Sequence, residues 1–148
     1  MTDQLPFATK LAHNIGLIVL VSQELERHLK VVVAAIEHSA TKSVVQRHQK
    51  LERRPLGEVV KRFLENVTVT EGSLTDLESY FKLLLDRRNK VVHHFFETYG
   101  KEVEAGKHTD VLADLAALYK ELRVVAASFR SVNEAFLESL DEELPLAS

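Results

Sequence analysis

Apolar residues recur three and four positions apart along most of this chain, and that spacing constrains its fold more than any other feature. Leu11, Ile15, Ile18, Val21 and Leu25 follow it, as do Leu56, Val59, Val60, Phe63 and Leu64. So do Val111, Leu115, Leu118, Leu122, Val125, Phe129, Val132 and Phe136. A period near 3.6 lines such residues along one face of an α-helix and does not supply the alternation of a strand. Only five glycines and three prolines punctuate the 148 residues. The one alternating stretch, Val67-Thr-Val-Thr, is too short to commit to a strand. The expected fold class is therefore all-α: an antiparallel up-and-down bundle of four helices, or five, in a single domain over residues 1–148.

Local signals place the elements. A first helix spans Leu11 to Glu37, and Ser39-Ala-Thr-Lys-Ser reads as its end and a loop. Pro55 sits near the start of the second helix, where proline is best tolerated. Ser73, with Asp76 three residues on, resembles a capping box at the head of the third. That helix is expected to run to Tyr99, with Gly100 as its stop and Lys101 to His108 as a polar loop. Thr109 or Asp110 then caps the last helix, and Pro145 ends anything still helical.

The runs GLIVLV (16–21) and VVVAAI (31–36) are each far shorter than the roughly 20 residues that span a bilayer, and QELERHLK separates them. Both read as core-facing helix, with no membrane partner and no cleavage pattern of a leader peptide. The chain has no cysteine, which excludes disulfides, thiolate nucleophiles and thiolate zinc sites. Cysteine-free composition fits a cytoplasmic location.

The net charge of −3 conceals a separation along the chain. Residues 42–62 carry seven basic side chains (Lys42, Arg47, Lys50, Arg53, Arg54, Lys61 and Arg62) against Glu52 and Glu58. Residues 134–143 carry five acids and no base. The basic stretch suits an anionic polymer, with Lys42, Arg47, Lys50, Arg53 and Arg54 as candidate RNA contacts; equally it reads as a solvated face balanced by the acidic tail.

The stretch DRRNKVVHHFFETYG (86–100) stands apart. On a helical wheel Leu77, Phe81, Leu84, Val91 and Phe95 form one stripe, and Arg88 falls in its middle. A guanidinium buried without a partner costs several kcal/mol, about the stability margin of a domain. Arg88 therefore either ends the core or faces a groove where an anion meets it. Asn89 and His93, four apart, share a neighbouring face. His93 and His94 point about 100° apart, which makes a shared metal ion on one helix unfavourable, so no metal site is expected.

Arg88-Asn89-Lys90-Val91-Val92-His93 resembles the R-(N/D/H)-x3-H signature of the HEPN superfamily, whose members are helical bundles with this motif towards the end of a long helix. The likeness covers six residues, and beyond them it is architectural. It implies metal-independent, cofactor-free RNA cleavage at a cleft formed by two motifs across a homodimer, in a toxin or defence component that an antitoxin protein can partner. The chemistry suits these residue types. An RNA 2′-hydroxyl must lose a proton as it attacks the adjacent phosphate, and DNA lacks that group. Histidine titrates near neutrality and can move the proton. Arginine stays charged and holds phosphate oxygens in its planar fork. The implied catalytic set is Arg88, Asn89 and His93, with Arg87 and His94 as auxiliaries. Several toxin members carry histidine, any residue, then a tyrosine modified by the antitoxin; here Phe95 occupies that place and Tyr99 lies a turn later. A non-catalytic module of the same ancestry, binding nucleic acid, a nucleotide or a protein, is the competing expectation.

Overall fold

The computed structural model describes residues 5–37, 43–68 and 72–143, with side chains described as far as residue 139. The chain is all-helical over these residues, in six helices: α1 (Phe7–Ile36), α2 (Val44–Leu51), α3 (Leu56–Glu65), α4 (Leu74–His93), α5 (Phe95–Glu104) and α6 (His108–Glu143). No helix among them is long and apolar enough to cross a membrane. The Pro145 stop and most of the Ser39–Ser43 loop lie outside the described residues.

Side-chain pairs fix the directions. The Phe7 ring stacks on His108 at 3.8 Å, and Asn133 Nδ2 donates to the His28 carbonyl at 3.2 Å, so α1 and α6 run parallel. Arg47 Nε donates to the Ala34 carbonyl and Lys30 Nζ to the Glu52 carbonyl, both at 2.7 Å, which sets α2 antiparallel to α1. Phe81 packs near Phe129, Arg87 pairs with Glu121, and Tyr99 reaches Asp114, so α4 and α5 run antiparallel to α6. Four alternating passes would leave the first and last helices antiparallel. The additional pass comes from α2, which the apolar spacing does not mark.

The second half of α1 is enclosed. Leu29, Lys30, Val32, Val33 and Ala34 are all buried because α2 and α3 cover the sides that α6 leaves free. The buried Lys30 is tolerable because its ammonium also meets Glu26 at 3.0 Å. Arg62 forks onto Glu37 with two 2.9 Å bonds and ties α3 to the end of α1. Phe63 sets its ring edge-on to Phe81 and Phe129, at 6.1 and 5.0 Å, joining α3, α4 and α6. Along α6 the inward stripe is Val111, Leu115, Leu118, Leu122, Ala126 and Phe129. It continues to Asn133 rather than to Val132, which is half exposed; the helix's true pitch carries position 132 out of line.

Ends follow capping chemistry. Ser43 and Gln46 form a reciprocal capping box at α2 (3.3 and 3.1 Å), and Pro55 precedes α3. Ser73 Oγ accepts from the amides of Thr75 and Asp76, starting α4 as its sequence suggests. The helix expected to run to Tyr99 ends instead at His93, and Gly100 lies inside the next helix, α5. The stop is Gly106, at φ +73°: its amide donates to Val103 O, and Lys107 N to Glu102 O, the paired bonds of a Schellman motif. That stop lies six residues beyond Gly100, so Lys101 to Glu104, expected as loop, are helical, and α6 begins at His108, next to the expected cap at Thr109.

Candidate functional site

Arg88 lies where the wheel puts it, on the core side of α4 between buried Leu84 and Val91, and it is half-buried. Its Nη1 donates to Asn89 Oδ1 at 2.9 Å. Its Nε is covered and has no hydrogen-bond partner among the described residues. Among the described residues, no acid is paired with it. Asn89 and His93 are both exposed, and His93 is the last residue of α4.

At His94 the backbone leaves the helical region (φ −134°, ψ 36°), and α5 starts with the next residue. The break needs neither proline nor glycine. His94 Nδ1 meets Glu97 at 3.3 Å, and Thr98 Oγ1 donates to the His94 carbonyl at 2.8 Å. The two imidazoles stand 6.4 Å apart, inclined at 68°. The break separates two adjacent phenylalanines by environment. Phe95 is buried, whereas Phe96 is 77% exposed, the most exposed of the large hydrophobic side chains described.

The opposite flank of α4 is occupied by α6. Arg87 pairs with Glu121, and Tyr80 stands beside them with its pKa raised, first by burial and then by the charge of Glu121 and a hydrogen bond to it. One turn beyond the break, the Tyr99 hydroxyl donates to Asp114 Oδ2 at 2.7 Å. Burial and then that bond hold the Tyr99 pKa well above its ordinary value. The sequence gives no sign of these two clusters, since each draws its acid from α6, some 15 to 41 residues away.

The basic stretch divides. Arg47 is consumed in capping the carbonyl of Ala34, and Arg54 pairs with Glu58 at 3.1 Å. Lys50 and Arg53 are exposed, while Lys42 lies outside the described residues. Among the described residues, no group of three histidine or acidic side chains is placed to hold a metal ion. The chain matches no protein-family model, no curated protein and no solved structure.

Proposed function

We propose that this chain is a metal-independent endoribonuclease of the HEPN type, an up-and-down helical bundle working as a homodimer in the cytoplasm, as the toxin or defence component of a bacterial system. Arg88 holds the scissile phosphate and offsets its growing charge, His93 moves the proton of the 2′-hydroxyl or of the leaving oxygen, and Asn89 positions them. The observation that carries this reading is Arg88: a guanidinium half-sunk in an apolar seam between Leu84 and Val91, with a covered Nε that has no hydrogen-bond partner among the described residues. An anion would meet this guanidinium through its Nη nitrogens, of which Nη1 holds Asn89 at 2.9 Å, and not through the covered Nε. Of the candidate RNA contacts, Lys50 and Arg53 are exposed and would guide RNA to the site.

Purified protein is incubated with single-stranded RNA and the matching DNA, with chelator present, and compared with Arg88→Ala and His93→Ala. RNA-only cutting, abolished in both variants while their circular dichroism and melting match wild type, is the expected result. One observation favours the non-catalytic module: Asn89 Oδ1 is already taken by Arg88, and His93 carries no hydrogen bond to either residue. RNA binding without cutting would support that reading, and neither binding nor cutting would overturn the ribonuclease and any RNA-binding form of the module.

A further inference from the structure

We infer that the ring of Phe96, three residues along the chain from His93, is a stacking platform for an unpaired base of single-stranded RNA; the inference rests on the function proposed above and adds its base-contacting residue. An isolated exposed aliphatic side chain needs no explanation, and Leu20, Leu83 and Val124 are of that kind. Phe96 differs in three respects. It is aromatic and 77% exposed. It stands in the first turn of α5, three residues past His93 and two past the break at His94. And it is held in place: Phe95 meets it edge-on at 5.3 Å, Phe95 in turn packs on Tyr99 at 5.2 Å, and Tyr99 is bonded to Asp114 on α6.

That chain of contacts supports one edge of the ring and leaves the rest of it open to solvent. Every nucleobase has a π-face, so stacking on such a ring is tolerant of sequence and needs no hydrogen-bond readout. The geometry suits the proposed chemistry as well. If Arg88 takes the phosphate and His93 serves the ribose hydroxyl, the base attached to that ribose projects beyond the end of α4. Duplex RNA keeps its bases stacked on one another, so the site would select single strands.

The test uses the full chain carrying His93→Ala, to prevent cutting, with a fluorescein-labelled single-stranded RNA of mixed sequence followed by anisotropy. Adding Phe96→Ala is expected to weaken binding about tenfold, Phe96→Leu to weaken it as much, and Phe96→Trp to restore it. A single abasic nucleotide walked along the RNA should, at one position, erase the difference between Phe and Ala at residue 96. Equal affinity of the Ala or Leu variant and the parent overturns the inference. So does sedimentation showing that Phe96→Ala dissolves an oligomer without altering RNA affinity per protomer. If wild type cuts RNA but residue 96 is indifferent, only this inference fails; if the parent binds no RNA and wild type cuts none, the proposed function fails with it.

Discussion

Two glycines six residues apart should respond oppositely to the same substitution, and the pair decides where α5 ends. Gly100 lies in the body of α5, and a Cβ built there meets nothing within 4 Å. Replacing it with alanine therefore adds no clash and removes backbone freedom from the unfolded chain, a gain of about 0.5–1 kcal/mol. Gly106 also has open space around its missing Cβ, but it sits at φ +73°. There the penalty is conformational, about 1–2 kcal/mol for an L-residue in the left-handed region, less what the unfolded chain loses in entropy. The net expectation for Gly106→Ala is about 1 kcal/mol of destabilisation. Near 2–4 °C per kcal/mol for a chain of this size, the two variants should melt roughly 3–8 °C apart, on opposite sides of wild type. Thermal unfolding followed by far-ultraviolet circular dichroism reads this directly. Should Gly100→Ala lower the midpoint while Gly106→Ala leaves it unchanged, the helix stops at Gly100 and the Schellman geometry is wrong.

The Tyr99–Asp114 bond predicts an alkaline signature. The native pKa of Tyr99 is raised above its ordinary 10.0, so the unfolded chain gives up its proton first as pH climbs. The contribution is complete below about pH 10 and is lost as pH rises above it towards the native pKa. Tyr99→Phe should cost about 1 kcal/mol at neutral pH, and urea titrations should show that difference shrinking above pH 10; a constant difference would contradict the assignment. Arg87 and Glu121 are about one-third exposed, so Arg87→Ala or Glu121→Ala should each cost under about 1 kcal/mol, with positive coupling in a double-mutant cycle. RNA cutting should survive Arg87→Ala, and loss as deep as that of Arg88→Ala would show that Arg87 touches phosphate.

Much of the helical frame is legible in the chain because long apolar stripes average out local noise: Ile18, Val21, Leu25, Leu115, Leu118 and Leu122 are all buried where a 3.6 period places them. The eight residues of α2 escape that signal because so short a helix repeats its period barely twice; the capping box Ser43-Val-Val-Gln46 is the mark that identifies it. Gly100 misleads because glycine permits a stop without compelling one, and the compelling feature, a left-handed residue followed by two backbone bonds, is a property of geometry. The break at His94 has no signature, since His-His-Phe-Phe contains no breaker. Its consequence, a buried Phe95 beside an exposed Phe96, is half legible: the two lie about 100° apart on any helix, and only Phe95 belongs to the stripe.

The position of the candidate site follows from the number of passes. With α2 included the chain changes direction an even number of times, which returns α6 parallel to α1 and leaves α4–α5 as its long antiparallel neighbour. Arg87 and Asn89 project about 100° to either side of Arg88. The Arg87 side is filled by α6, through Glu121 and, further along, through Asp114 and Tyr99. The Asn89 side carries exposed His93 and, among the described residues, no acid paired with Arg88. An anion approaching the half-buried guanidinium therefore has one flank available, the flank that also bears the imidazole. Adding a negative charge to that flank tests the reading: Asn89→Asp would give Arg88 an internal carboxylate and should suppress RNA binding while leaving the melting temperature at or above that of wild type.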